Sequence, residues 1–320
     1  MAVETVKPSA ASPAVRRDKR SPKRRPTRDQ PGIAYLFLSP WVCGAVLLTV
    51  GPMLASLYLS FTDYDLFTSP NWIGFDNYRQ LFTEDTRFLD SARVTAIYVF
   101  FSVPLKLFAA LAVAMLLNRN RGGQGFYRAA FYAPSLLGTG VAIALAWRAM
   151  FTDEGVVDTL TNFVGWDTGG WINEPNYALS VLVLLAVWQF GAPMVIFLAG
   201  LKQIPQELYD ASAVDGAGKW RTFRSVTLPM LSPVILFNLV LETIHAFQAF
   251  TPAYIISGGR GGPTNSTLFY TLYLYERGFS QFKMGYASAM AWLLVLAIAV
   301  VTAVFFGTSR RWVFYSGEDK

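Results

Sequence analysis

Long runs of apolar residues alternate with shorter polar segments along most of this 320-residue chain. Six runs reach or approach the roughly 20 residues that a helix needs to cross a bilayer. They lie near residues 33–61, 92–117, 131–151, 179–201, 231–256 and 287–306. Several runs contain prolines, which membrane helices tolerate because neighbouring helices can satisfy the freed carbonyls. The pattern predicts an all-α membrane protein with six transmembrane helices.

The basic residues between these runs predict how the chain is oriented, because cytoplasmic loops carry an excess of Lys and Arg. With the N-terminus inside, the cytoplasmic segments hold 19 of the 27 Lys and Arg, the outside loops hold six, and two lie within the runs. The outside loop of residues 152–176 holds five acidic residues and no basic residue. Both termini are therefore expected in the cytoplasm of a multi-pass membrane protein.

Composition supports the same class, since 53% of the residues are hydrophobic and only 15% are charged, an unusual balance for a soluble domain. The single cysteine, Cys43, excludes a disulfide framework and a cysteine-based zinc site. Residues 1–31 hold nine of the Lys and Arg and predict a disordered, cytoplasmic tail that helps to set topology. Binding of that tail to nucleic acid or anionic lipid is the alternative. The expected layout is tail 1–31, membrane domain 32–309 and cytoplasmic tail 310–320.

A polar segment at residues 203–229 interrupts the apolar pattern and predicts a short helix, a tight turn and a second basic amphipathic stretch. Gly216 permits the turn, and Pro229 is expected to start the next span. Glu207, Asp210 and Asp215 are placed to dock or to cap the short helix. Although Gly216 to Trp220 superficially resembles a phosphate-binding loop, no Ser or Thr follows its lysine, and no strand is predicted before it. The segment is therefore not expected to make the chain an enzyme.

This segment resembles the signature of binding-protein-dependent ABC importer permeases. The family pattern is Glu-Ala-Ala, three residues, Gly, nine residues and Ile-x-Leu-Pro. Here Asp210-Ala211-Ser212, Gly216 and Val226-Thr227-Leu228-Pro229 stand at the matching positions, with Asp for Glu, Ser for Ala and Val for Ile. The resemblance implies a type I importer fold in which this loop docks on a separate ATPase. No cofactor is then expected on the chain itself, because ATP and Mg would be bound by that partner.

Later segments resemble the carbohydrate-uptake branch of the family, which includes permeases for maltose, trehalose and glycerol-3-phosphate. The resemblance is carried by segments at residues 247–250, 261–267 and 282–289. It implies import of a sugar or a glycerol-phosphate-like solute across a bacterial-type cytoplasmic membrane. The implied partners are ABC ATPase subunits, a second, different permease that forms a heterodimer with this one, and an extracytoplasmic solute-binding protein; no nucleic-acid partner is expected.

The fifth run carries Glu242, His245 and Gln248 at spacing i, i+3, i+6, which places them roughly on one face of a helix. Ionisable residues inside a bilayer usually face an interior cavity, and with the nearby rings of Phe247 and Phe250 they suit a polyhydroxylated sugar. Pairing of Glu242 with Lys106 for packing alone is the alternative.

The helix before the polar segment also holds candidate pathway residues. Comparison with the maltose permease implies that Trp188, Gln189, Phe247 and Gln248 also line the pathway. For Trp188 the alternative is a lipid-facing anchor, and for Gln189 a hydrogen bond between helices.

Two other classes of function stay open at this point. One is an ion-coupled secondary carrier with Glu242 and His245 as a proton relay, although no inverted repeat is visible. The other is a non-transporting membrane scaffold that acts through its basic tail.

Overall fold

The computed structural model describes residues 31–118, 123–137, 140–166 and 168–314. The predicted tail up to residue 30, the basic residues Arg119 and Arg121, and the last six residues of the predicted C-terminal tail lie outside the described part. Helices dominate the described residues. The β-structure found among them is an isolated antiparallel bridge between Thr62 and Trp72. The chain divides into two compact units, one ending at Pro52 and the other beginning at Met53.

Eight α-helices are described before residue 189 and are numbered here in chain order. They are α1 (Pro31–Ala45), α2 (Gly51–Leu59), α3 (Asp76–Thr83), α4 (Thr86–Leu117), α5 (Gln124–Leu137), α6 (Val141–Phe151), α7 (Val156–Phe163) and α8 (Pro175–Trp188). A π-helical turn, Val46–Val50, separates α1 from α2.

The remaining helices follow the break after α8. They are α9 (Gly191–Gln203), α10 (Gln206–Val214), α11 (Lys219–Thr222), α12 (Leu228–Phe247), α13 (Thr251–Ile256), α14 (Tyr270–Tyr275) and α15 (Met284–Ser309). Two further π-helical turns occur, Phe223–Thr227 before α12 and Glu276–Ser280 after α14.

Four stretches are long and apolar enough to cross a membrane as helices: Tyr35–Leu59, Thr86–Leu117, Lys219–Ile256 and Met284–Ser309. The third and fourth predicted runs are not straight spans. Each is a bent pair that reaches the required length and apolar character only when its two members are taken together. The bend is 93° between α5 and the stretch Val141–Phe163, which holds α6 and α7, and 42° between α8 and α9. The described part therefore has four such helices, or up to six spans if each bent pair counts as one.

Helix α4 is the centre of the unit that begins at Met53, and it packs against α8, α9, α12 and α14. Its buried face repeats at helical spacing through Tyr98, Leu107, Ala110 and Ala114. Many of its other side chains are exposed apolar groups, as expected for a helix that also faces lipid.

The beginning of α4 is tied to α14 and α15 through the buried carboxylate of Asp85. One oxygen of Asp85 accepts hydrogen bonds from the hydroxyls of Tyr273 and Tyr286 at 2.6 and 2.5 Å and from Arg277 at 2.9 Å. The other oxygen accepts from the backbone N–H of Phe88 and caps α4. The cluster holds the ends of three helices together.

Candidate functional site

A cavity of about 390 Å³ lies among α4, α8 and α12 and reaches the break between α12 and α13. Four of the six predicted pathway residues line it: Gln189, Glu242, His245 and Gln248. Trp188 and Phe247 are not among its lining residues. Trp188 instead packs on Trp147 of α6, with ring centroids 5.6 Å apart. This side chain, at the end of α8, therefore points toward α6.

The carboxylate of Glu242 is paired with Lys106 inside this cavity. Lys106 Nζ lies 2.6 Å from Glu242 Oε2, and the two side chains are only 15% and 9% exposed. The pair joins α4 to α12 and leaves the cavity with balanced fixed charge. From the sequence, Glu242 was expected either to line a cavity or to pair with Lys106 for packing. In the structure Glu242 and Lys106 pair with each other and also line the cavity.

Tyr98 and Ser102 add a polar edge to the cavity that the sequence interpretation missed. They lie one helical turn apart on α4 and, with Lys106 one turn further on, form an i, i+4, i+8 stripe. Tyr98 packs on Phe269, with ring centroids 4.6 Å apart. The Ser102 hydroxyl is buried and, among the described residues, makes no hydrogen bond of regular geometry; its polar neighbour is the Tyr98 hydroxyl. The stripe itself was the available signal, since it places three polar groups on one face of an apolar run.

Both glutamines of the cavity stand where a helix is broken. Gln189 follows the last residue of α8, and Gln248 follows the last residue of α12. In each case a proline comes four residues later, Pro193 and Pro252. Proline lacks the N–H that would bond to the carbonyl four residues earlier. The repeated pattern Gln-x-x-x-Pro thus removes one backbone hydrogen bond at each break and puts a polar side chain beside it, although a proline alone does not end a helix here, since α4 continues through Pro104.

The segment that carries the family-like motif folds as a helical hairpin. Helix α10 holds Glu207 in its first turn, where a carboxylate is favourable, while Asp210 accepts a hydrogen bond from Gln206 at 3.2 Å. Asp215 stands at the C-terminal end of α10, and Ala211 lies exposed on it. The Tyr209 hydroxyl contacts the Thr227 hydroxyl at 3.2 Å and closes the hairpin.

The turn of the hairpin depends on Gly216, which has φ +68°, a conformation that side-chain-bearing residues rarely adopt. Nothing lies within 4 Å of the position where a Cβ would be. Glycine is therefore needed for its backbone conformation and not for space.

The regular α-helix of the fifth span, α12, begins at Leu228 with Pro229 in its first turn, next to the expected start, but helical structure extends further back. The helical stretch begins at Lys219 and passes through the π-helical turn Phe223–Thr227 into α12. Because that turn lies immediately before Pro229, the missing N–H falls where the regular bonding pattern is already interrupted.

Comparison with known proteins identifies the family. Residues 83–312 match the family described as "Binding-protein-dependent transport system inner membrane component". The chain belongs to this family. It is 49% identical over 299 residues to the probable ABC transporter permease protein YesP of Bacillus subtilis (strain 168), covering 93% of this chain and 97% of that protein.

Two further similarities concern a named transport system and a solved structure. The chain is 32% identical over 275 residues to the probable starch degradation products transport system permease protein AmyD of Thermoanaerobacterium thermosulfurigenes, covering 85% of this chain and 92% of that protein. A crystal structure of a bacterial alginate ABC transporter, in complex with alginate pentasaccharide-bound periplasmic protein, contains a chain with the same fold. The TM-score is 0.74 at 20% identity, covering 88% of this chain and 94% of that chain.

Membership of this permease family confirms the resemblance drawn from the loop and places the apolar helices in a membrane. The family match includes the hairpin, the cavity helices and the Asp85 cluster. Among the described residues, no group of three or more His, Cys, Asp and Glu is placed to hold a metal ion.

Proposed function

We propose that this permease forms half of the translocation pathway of an ATP-driven importer for a saccharide. The observation that carries the proposal is the cavity between α4, α8 and α12, which combines hydroxyl, amide and carboxylate groups with the ring of Phe250. Polar groups can bond to sugar hydroxyls, while an aromatic face packs on the C–H face of a sugar ring. The starch-product transport of one relative supports this substrate class.

The balance of charge in the cavity favours an uncharged saccharide over a glycerol phosphate. Lys106 is the fixed cation among the described lining residues, and Glu242 neutralises it. A phosphate group entering the cavity would have to break this pair or remain without a full counter-charge, which is costly in a poorly solvated site.

The proposed topology has six spans, with each bent helix pair crossing the membrane once and both termini in the cytoplasm. The distribution of Lys and Arg supports this orientation. It puts the hairpin of residues 206–227 on the cytoplasmic side of the cytoplasmic membrane, and the acidic loop of residues 152–176 outside.

The hairpin is proposed to dock on a separate ATPase subunit, which would bind ATP and Mg. Three large apolar side chains, Leu208, Val214 and Trp220, are exposed on it, Val214 to 88% and Trp220 to 73%. If these side chains form one contiguous apolar patch, such a patch on a polar hairpin is typical of a protein contact. Glu207, Asp210, Ala211 and Asp215 are proposed to border that contact.

The other proposed partners are a second permease subunit, which would supply the other half of the pathway, and an extracytoplasmic solute-binding protein. The alginate transporter chain with the same fold was solved with a periplasmic protein that binds its saccharide. Since such a protein would select the ligand first, the cavity itself needs only low affinity.

The test is reconstitution of the permease in liposomes with its co-purified partners and a panel of labelled neutral and acidic saccharides. Uptake of a neutral saccharide that requires both internal ATP and the binding protein is the expected result. Uptake by the chain alone under an ion gradient, without ATP, would instead identify an ion-coupled carrier that uses Glu242 and His245.

A further inference from the structure

Two helices leave the hairpin, and each ends at a break that lines the cavity. Helix α9 connects Gln189 to the start of α10, and α12 continues from the end of the hairpin to Gln248. With 13 and 20 residues, they are about 20 and 30 Å long at 1.5 Å per residue. A displacement of the hairpin would thus be transmitted to the cavity by α9 and α12, each of which ends beside a glutamine that lines the cavity.

The break after α8 is clamped by one hydroxyl from a neighbouring helix. Ser135 on α5 donates to the carbonyl of Gln189 and accepts from the N–H of Ala192, both at 3.0 Å. No side chain within α9 caps its beginning, so Ser135 provides a cap from another helix. Both backbone groups belong to the break that Pro193 creates.

Close contact between the two helices makes this clamp possible. A Cβ added at Gly191 would lie 2.6 Å from the carbonyl oxygen of Phe131 and 2.7 Å from the Ser135 hydroxyl. Only glycine at this position lets α9 approach α5 closely enough for the two hydrogen bonds.

The break after α12 has a matching clamp. Thr271 on α14 donates its hydroxyl to the carbonyl of Ala249 at 2.5 Å. Ala249 lies between α12 and α13, next to Gln248 and three residues before Pro252. Each break therefore has a Gln-x-x-x-Pro pattern, a glutamine that lines the cavity, and a hydroxyl from a neighbouring helix that bonds to the backbone of the break.

We propose that the breaks at Gln189 and Gln248 are a pair of hinges that convert movement of the hairpin into movement at the cavity, with Ser135 and Thr271 as positioning residues that hold them. This inference rests on the proposed ATP-driven function. A hydroxyl clamp suits a hinge because its bonds can lengthen and re-form without leaving a charge unpaired. Proline keeps each break from closing into a continuous helix.

The test measures how readily a water-soluble methanethiosulfonate reagent labels a single cysteine at either break. The reporters are Gln189→Cys and Gln248→Cys in a Cys43→Ser background, within the complete transporter. Labelling is compared between the nucleotide-free state and the state trapped with ATP and vanadate. Each reporter should change its labelling rate about fivefold or more, equivalent to roughly 1 kcal/mol.

The clamp variants decide whether the hydroxyls hold the hinges. The quantity compared is the ratio of the labelling rate in the trapped state to that in the nucleotide-free state. Ser135→Ala should bring this ratio close to one at position 189 and leave it unchanged at position 248. Thr271→Ala should do the reverse. Ser135→Thr and Thr271→Ser should restore the ratios. Ser180→Ala is the matched control, because the exposed Ser180 hydroxyl bonds only within α8, to Tyr177 at 2.6 Å.

The possible failures are distinguishable. If both reporters respond to ATP and their ratios stay the same as in the parent when Ser135→Ala or Thr271→Ala is added, the hinge proposal is wrong and the importer proposal stands. If either alanine variant abolishes both ratios and its hydroxyl-bearing variant does not restore them, the residue is structural and the proposal is also wrong. If neither reporter responds in a parent transporter that still shows ATP-dependent uptake, the hinge proposal is wrong and the importer proposal stands; absence of ATP-dependent uptake in the parent transporter overturns both.

Discussion

Lys106 and Glu242 form an ion pair of 2.6 Å between α4 and α12 inside the cavity. The two residues lie 136 positions apart in the chain, and the pair fixes how the two helices face each other. Both side chains are largely shielded from water. Breaking such a pair from one side leaves an uncompensated buried charge, at a cost of about 3–5 kcal/mol.

Single neutral substitutions of this pair should therefore be worse than the double substitution. We expect Lys106→Met or Glu242→Gln to lower the melting temperature in detergent, and Lys106→Met with Glu242→Gln to recover most of it. Fluorescence-detected gel filtration after heating measures this directly. If the stable double variant also restores saccharide uptake, the pair serves packing; if uptake stays lost, the charged groups serve the substrate. Equal melting temperatures of all four proteins would contradict the pairing itself.

The conformation of Gly216 predicts a graded response to substitution. Because its φ is +68° and its surroundings are open, the cost is backbone strain of about 1–2 kcal/mol for an ordinary side chain. Gly216→Asn should retain part of the uptake, Gly216→Asp less, and Gly216→Pro none, since proline cannot adopt this φ and lacks the N–H that bonds to Ala213. All three should insert at normal levels. Equal activity of the Asn and Pro variants would contradict this account.

Val214 should contribute to ATPase binding and not to folding. It is 88% exposed at the end of α10, so a charge there removes no packing within the chain. We expect Val214→Asp to reduce co-purification of the ATPase about tenfold while leaving the melting temperature of the isolated permease unchanged. Val164→Asp is the matched control, because Val164 is similarly exposed, at 82%, in the acidic loop. An equal loss in both variants, or in neither, would argue against docking at this hairpin.

The Asp85 cluster predicts a dependence of stability on pH. Burial raises the pKa of Asp85, but hydrogen bonds from Tyr273, Tyr286 and the Phe88 N–H, with the charge of Arg277, outweigh it and lower the pKa below its ordinary value of 3.8. A depressed pKa in the folded state stabilises the protein above pH 3.8, and this stabilisation is lost as the pH falls through the folded pKa.

Asp85→Asn should therefore destabilise the protein at neutral pH by about 1.5–3 kcal/mol, the range for one hydrogen bond to a charged group. The difference in melting temperature between wild type and variant should be constant from pH 7 down to about 5 and then shrink below pH 4. Asn265 bonds the exposed Asp90 at 3.2 Å, so Asp90→Asn provides a control with little effect. A difference that stays constant down to pH 3 would contradict the ionised state of Asp85.

The sequence predicts the continuous spans well and the broken ones poorly. The second and sixth runs agree with α4 and α15 within six residues, because an uninterrupted apolar helix has only its ends to specify. The fourth run is continuous by hydrophobicity, yet the helix is interrupted after Trp188, where Pro193 stands four residues after Gln189. Hydrophobicity alone is insensitive to such a break, since the apolar residues continue through it.

Contacts between helices were harder to predict than the helices themselves. A helical period shows that Glu242, His245 and Gln248 share a face, and the cavity contains all three. It does not show which residue of α4 stands opposite, so the pairing with Lys106 remained one of two alternatives. Trp188 was placed in the pathway, together with Gln189, by comparison with the maltose permease, but adjacent residues of a helix point about 100° apart.

Substitution of Ser102 can distinguish a side chain that binds substrate in the cavity from one that only supports the fold. Its hydroxyl is buried and makes no hydrogen bond of regular geometry among the described residues, its polar neighbour being the Tyr98 hydroxyl, so Ser102→Ala should change stability little. If the hydroxyl binds a sugar, the same variant should raise the half-saturating saccharide concentration for uptake about threefold to tenfold, equivalent to roughly one hydrogen bond. Ser91 on the same helix is the control, because its hydroxyl bonds the Phe88 carbonyl at 2.7 Å. Ser91→Ala should leave half-saturation unchanged, and an equal effect of both substitutions would remove Ser102 from the substrate pathway.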